Sequence, residues 1–206
     1  MKGINIKVVS AFMSVVFVGA GTLSSQAQNR PDQILTSKAN STMATSNFST
    51  TISVNNTPKE VFDAINNVRG WWSESVEGNT NKLNEEFLYY YKDVHISKMR
   101  IVEFVPNRKV VWLVLDNHFN FTEDKTEWND TKIVFEISEK GDKTELLFTH
   151  VGLVPEYECY NVCHDAWTSY IQGSLKDLIT TGTGKPNAKE GGLNADLIEK
   201  WKLPIK

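Results

Sequence analysis

Few side chains in this sequence stand where they could do chemistry, and the most suggestive is His150. Alternation along Thr144–His150 puts Leu146, Phe148 and His150 on one face of a strand and Glu145 and Thr149 on the other. An inward imidazole with an ordinary pKa of about 6.5 could polarise a ligand carbonyl or act as acid or base. A structural role, tying the strand end to the loop Val151–Pro155, is favoured, because no partner carboxylate can be assigned from sequence. Cys159, Cys163 and His164 form a second cluster. Two thiolates one helical turn apart, with His150 or His118 nearby, could hold zinc or copper. Zinc ligands usually sit on a turn, however, and no second ligand pair is evident. A disulfide would need Cys159 to precede the helix, because Cβ atoms one turn apart are about 5–6 Å apart and a disulfide wants about 3.5–4.5 Å. Two buried thiols are the simplest reading. Asp116 with His118, and Glu123-Asp124, fall in a polar stretch after a strand and read as solvated loop residues.

The third candidate is a set of rings. Trp71, Trp72, Tyr89, Tyr91, Trp112, Phe135, Phe148, Trp167 and Tyr170 come from separate segments. They could form plain core or wall a pocket for an apolar ligand, with indole N–H and phenol O–H as its few polar points. Trp71 and Trp72 are adjacent and must point different ways, so one of them should face a cavity mouth or solvent. Catalytic signatures are missing: there is no Gly-x-Ser-x-Gly elbow, His-Glu-x-x-His, phosphate loop or dinucleotide fingerprint.

The elements that must position these residues follow from pattern. Phe48–Val54 alternates loosely and ends at Asn55-Asn56-Thr57-Pro58. Thr57 is a good helix cap, Pro58 suits the first turn, and Val61, Phe62, Ala64 and Ile65 form a helical stripe up to Gly70. Segments beginning at Glu86, Val94, Lys109, Thr131 and Thr144 read as strands, separated by turn signals at Pro106-Asn107-Arg108 and Lys140-Gly141-Asp142. No helix lies between them, so the sheet is antiparallel. After Pro155 a helical period returns through Tyr160, Cys163, Trp167, Ile171, Leu175 and Ile179, and Gly182 and Gly184 end it. The class is therefore α+β, a curved sheet gripping one long helix with a cavity between them.

The chain has 206 residues and a net charge of −3, with 40% hydrophobic and 11% aromatic residues. That balance can bury a core and argues against nucleic acid as a partner. Residues 1–27 carry Lys2 and Lys7, an uncharged run from Val8 to Ala20, and small residues at Ser25 and Ala27. This is the pattern of a secretory signal peptide, too short to span a bilayer, and it predicts a periplasmic or extracellular protein. A cytoplasmic protein with an uncleaved leader is the alternative. Residues 28–46 read as a polar linker, 47–186 as the domain, and 187–206 as a tail with a short helix over Leu193–Trp201.

Five stretches carry a resemblance: Thr57–Ile65, Gly70-Trp71-Trp72, Pro106–Trp112, Phe148–Pro155 and Ala166–Leu178. Together they resemble the START-like (SRPBCC) superfamily, and within it the bacterial relatives of the heat-shock-protein-ninety ATPase activator. The resemblance implies a helix-grip fold with an apolar cavity and little about chemistry. An activator of a cytosolic chaperone would not meet its partner after export. With catalytic constellations missing, the expectation is a non-catalytic binder of a small apolar or amphipathic molecule, without cofactor or metal. Its site would comprise Trp71, Trp72, Tyr89, Trp112, Phe135, Phe148, His150, Trp167 and Tyr170. Among the polar groups His150 is the one expected to orient the ligand, so His150→Ala should weaken binding and spare the fold. A cyclase- or hydrolase-like enzyme using the same pocket, or a protein-interaction module, are the alternatives.

Overall fold

The computed structural model describes residues 46–189. The signal-peptide reading, nearly all of the linker and the Leu193–Trp201 helix lie outside the described residues. Seven strands form one antiparallel sheet: β1 (Phe48–Val54), β2 (Val76–Gly78), β3 (Glu86–Tyr91), β4 (His95–Val105), β5 (Lys109–Phe119), β6 (Lys132–Lys140) and β7 (Lys143–Val151). Their spatial order is β1-β7-β6-β5-β4-β3-β2. Every neighbour after β7 is the next hairpin back along the chain, as short connections require.

Between β1 and β2 the chain makes α1 (Pro58–Asn66) and α2 (Val68–Trp71). The start of α1 is fixed by a reciprocal cap, in which Glu60 N–H donates to the Thr57 hydroxyl and Thr57 N–H donates to the Glu60 carboxylate at 2.7 Å. Val61, Phe62, Ala64 and Ile65 are its buried stripe. Asn107 and Gly141 turn the two tight hairpins with φ of 60° and 65°. A positive φ costs glycine nothing, and asparagine tolerates it better than most residues.

Two register shifts in the β4–β5 ladder, at Lys98/Met99 and Ile101/Glu103, mark where the sheet curls. The long pairing also carries β5 further than its sequence suggests. Asp116, Asn117 and His118 pair with Lys98, Ser97 and Ile96, so Asp116 and His118 are strand residues and not loop residues. Polar types at the end of a strand look like loop when the partner strand is not in view. Glu123 and Asp124 do lie exposed in the following loop. The short β2 shows too few residues for alternation to reveal it.

The C-terminal helix lies against the concave face. It begins as α3 (Tyr160–Thr168), widens into a π-helical stretch (Ser169–Leu175) and finishes as α4 (Lys176–Thr181). Its buried residues Cys163, Trp167, Ile171, Leu175 and Ile179 recur every four positions. On a regular α-helix such a stripe rotates about 40° per step, because a turn holds 3.6 residues. The wider π turn takes up that drift and keeps Trp167 and Ile179 on the same core. Gly182, at φ 80°, ends the helix in the left-handed conformation.

Candidate functional site

Between the helix and the β3–β4–β5 end of the sheet is a cavity of about 320 Å3. Four of the rings picked from sequence line it: Trp72, Tyr89, Trp167 and Tyr170, with Tyr91 at its rim. Trp72 lies flat on Tyr89, with ring centroids 4.1 Å apart and planes at 10°. Trp167 follows at 5.1 Å from Trp72. Of the tryptophan pair it is Trp72 that meets the cavity, and both rings are buried from solvent.

Trp71, Trp112, Phe135 and Phe148 are fully buried behind that wall and do not line it. They form its support. Trp71 stacks near Trp112 at 6.4 Å, Trp112 meets Phe135 at 4.8 Å, and Phe148 meets Trp167 at 4.8 Å. Rings locked in this way give the cavity a rigid back.

His150 is also set behind the wall, with both nitrogens bonded. The Trp167 indole N–H donates to Nδ1 at 3.0 Å. Nε2 lies 2.9 Å from the Thr131 hydroxyl, whose own proton goes to the Trp128 carbonyl at 2.6 Å. Because Nδ1 accepts, the proton is on Nε2 and the ring is neutral. Burial, with a smaller push from His95, lowers its pKa to about 3. This geometry gives His150 a structural role, holding Trp167 to the loop that carries Trp128.

Several residues outside the sequence candidates complete the cavity: His95, Phe119, Trp128 and Asn187 above all. Trp128 stacks near Trp167 at 5.8 Å and 13°. It lies in a polar loop without period; the only sign was a large ring among charged neighbours, which seldom stays in water. His95 extends the inward face of Ser97, Met99 and Ile101 on β4, a period-two signal that was there to be followed.

Asn187 belongs to the strand-like segment after the helix. Its N–H donates to the Trp72 carbonyl at 3.0 Å, its carbonyl accepts from Glu74 N–H at 2.9 Å, and its side-chain amide donates to the Tyr170 hydroxyl at 2.7 Å. Tyr89 lies beside this group, and burial, followed by the nearby Tyr170, raises its pKa well above the usual 10. The Tyr89 phenol therefore stays protonated at neutral pH. Gly184 lets this segment cross close to α2. An added Cβ there would stand 2.2 Å from the Gly70 carbonyl oxygen and 3.0 Å from that of Ser174. Gly184→Ala should lower stability by about 1–3 kcal/mol, the usual cost of overpacking. A urea titration checks it, and an unchanged midpoint would mean that the segment does not rest where it is placed.

Cys159 caps α3, one residue ahead of it, and Cys163 touches the cavity. Both thiols are buried and free. The hydrogen bond to Cys163, followed by burial, pushes the Cys159 thiol far up, so it is held as a thiol. Its N–H and that of Glu158 both donate to the Glu127 carboxylate, at 2.9 and 2.6 Å. Among the described residues no cluster of three metal-ligating side chains forms.

The cavity therefore has aromatic walls and neutral polar points, and among the described residues no carboxylate, lysine or arginine lines it. A comparison with protein families matches residues 55–180 to the activator of Hsp90 ATPase homolog 1-like proteins. The chain is a member of that family. Among solved structures, the Aha1 dimer from Colwellia psychrerythraea is similar, with 20% identity and a TM-score of 0.55 over 68% of this chain and 99% of that one. DynU16, from the dynemicin biosynthetic locus, shows 12% identity and a TM-score of 0.50 over 68% of this chain and 50% of its own length. At these identities the likeness bears on the fold, which is the α+β helix-grip arrangement of the activator-like family. Curated proteins give no match. Among the described residues no helix is long and apolar enough to cross a membrane.

Proposed function

We propose that this activator-like domain binds one small, uncharged, largely apolar and flat molecule in the cavity between sheet and helix. The observation that carries the reading is the lining itself, in which Trp72, Trp128 and Trp167 supply broad ring faces and, among the described residues, no formal charge intervenes. The volume of about 320 Å3 lies at the lower end of small-molecule sites, which run from about 300 to 1,000 Å3. Tyr91, Phe121 and Val162 are exposed apolar side chains at its rim, a way in for an apolar guest. Affinity would come from apolar surface removed from water, at about 25 cal/mol per Å2. Binding is favoured over catalysis because burial holds His95, the cavity's one imidazole, at a pKa of about 3, too weak a base for proton transfer near neutrality.

Naphthalene is a suitable first probe, and the cavity tryptophans report its arrival. Titration should quench their fluorescence saturably at one equivalent, and Ala166→Trp, which fills the cavity from the helix side, should abolish the effect. Linear quenching, or saturable quenching that survives in Ala166→Trp, would count against the reading. The signal-peptide pattern at residues 1–27 supports a further part of the proposal, that the domain works outside the cytosol. An intact mass starting at Gln28 in protein recovered from an export-competent host tests it, and a chain starting at Met1 would overturn it.

A further inference from the structure

Two neutral histidines flank the Trp128 ring, and they are wired differently. At His150 both ring nitrogens are engaged. At His95 only one is. Nε2 lies 2.8 Å from Ser97 Oγ and 3.2 Å from Asn117 Oδ1. The Ser97 hydroxyl must donate to Asn117 Oδ1 at 2.7 Å, since a carboxamide oxygen only accepts. The Asn117 amide in turn donates to the Lys125 carbonyl at 3.2 Å. Ser97 and Asn117 are wholly buried, so this chain of bonds has no freedom to reverse. It leaves Nε2 as the donor and Nδ1 as a bare acceptor lone pair.

Nothing among the described residues hydrogen-bonds Nδ1. The sealed polar atoms that lack a partner are Asn66 Oδ1, Trp112 Nε1, Trp128 Nε1 and Asn129 Oδ1. His95 Nδ1 is not one of them, because His95 keeps some exposure and lines the cavity. Three aromatic rings pack on the imidazole: Phe119 at 4.4 Å, Trp128 at 4.6 Å and Tyr89 at 5.0 Å between centroids. A lone acceptor in an apolar surround is satisfied best by a donor that arrives with a ligand.

We infer that His95 Nδ1 is the recognition point of the cavity, and that its ligand class is a neutral aromatic molecule carrying an O–H or N–H donor, such as a phenol. This deepens the proposed binding function and rests on it. Discrimination follows from asymmetry: a guest without a donor buries Nδ1 unpaired and forfeits that bond. Burial lowers the His95 pKa to about 3, which keeps Nδ1 an acceptor across the physiological range.

The test compares 2-naphthol, 2-methoxynaphthalene and naphthalene by tryptophan quenching, in the full chain and in His95→Phe. In the unaltered chain 2-naphthol should bind about tenfold more tightly than its methyl ether, the scale of one buried hydrogen bond. In His95→Phe the three should bind alike, since the Ser97–Asn117 bond does not need the imidazole. Equal binding of all three to the unaltered chain would overturn the role of His95 and leave the cavity reading intact. A preference for naphthol that survives in His95→Phe would do the same, placing the contact at Tyr170 or Asn187. Binding of none would overturn the cavity reading, and this inference with it. Histidine 15N spectra of the unaltered chain give a second measurement that needs no variant. The His95 Nδ1 resonance, unprotonated in the free protein, should move upfield with 2-naphthol, and a static resonance at saturation would refute the contact.

Discussion

Replacing His150 by alanine should cost this domain about 4 kcal/mol of stability and leave its cavity chemistry alone. Part of that cost is the void left by a wholly buried ring, for which large-to-small changes lose about 2–5 kcal/mol. The other part is the Trp167 indole N–H, which loses its acceptor in a place water does not reach, a penalty of about 1–3 kcal/mol. A domain of this size holds roughly 5–15 kcal/mol in total, so the variant should melt roughly 10–15 °C lower and still fold when cool. Urea unfolding followed by far-ultraviolet circular dichroism measures the loss. The discriminating readout is the ligand preference, which should survive in His150→Ala and vanish in His95→Phe. A variant that melts like the parent but no longer binds would return His150 to the ligand.

Much of the fold could be read from local pattern. Alternation on β6 and β7 put Ile133, Phe135, Ile137, Leu146, Phe148 and His150 inward, and all six are buried. The cap at Thr57 and the stop at Gly182 are backbone chemistry written in single residues. What pattern could not supply was anything fixed by a partner distant in sequence. The far end of β5 is strand because β4 pairs with it, although Asp116-Asn117-His118 has the composition of a loop. The π-helical turn was visible only indirectly, as a four-residue spacing that an α-helix cannot keep on one face.

The candidate site was legible in its chemistry and not in its layering. A cluster of aromatic side chains is evident, and the structure joins all the chosen rings but the exposed Tyr91 into one contiguous group. Which side of that group faces the cavity depends on whether the sheet or the helix stands behind each ring, and alternation gives inward against outward and no more. Hence Trp72 and Trp167 meet the cavity, whereas Trp112 and Phe148, equally inward, lie one layer deeper. His150 and His95 show the same limit more sharply. Both are polar residues on inward faces, and only their partners across the sheet distinguish the saturated imidazole from the open one. Asn187 reads as tail because its neighbours are Gly, Pro and Lys; its place is set by Trp72 and Glu74, more than a hundred positions away.

Acid should unfold this protein earlier than its carboxylates alone would dictate. His95 and His150 each fall to a pKa of about 3 in the folded chain, chiefly through burial. In the unfolded chain each returns to about 6.5. Between those values the unfolded state binds more protons, so stability rises with pH there and is lost as pH falls from about 6.5 towards 3. Above 6.5 neither state is protonated and the contribution is constant. Each histidine changes the balance by about 1.4 kcal/mol per pH unit inside the window, and the pair together takes about 6 kcal/mol between pH 7 and 4. That approaches the whole stability of a typical domain, which sets the acid midpoint near pH 4. The lowered Glu86, held down by Lys98 and Arg100, loses its contribution only further down, below about pH 4.5. Urea midpoints collected at half-unit steps from pH 7.5 to 4 should therefore fall steadily from about 6.5, well before carboxylates titrate. In His95→Phe the slope should drop by about half, because of the two imidazoles held neutral by burial only His150 remains. A flat profile down to pH 5 would show that neither imidazole is held neutral by burial, and the hydrogen-bond directions assigned around both rings would then have to be redrawn.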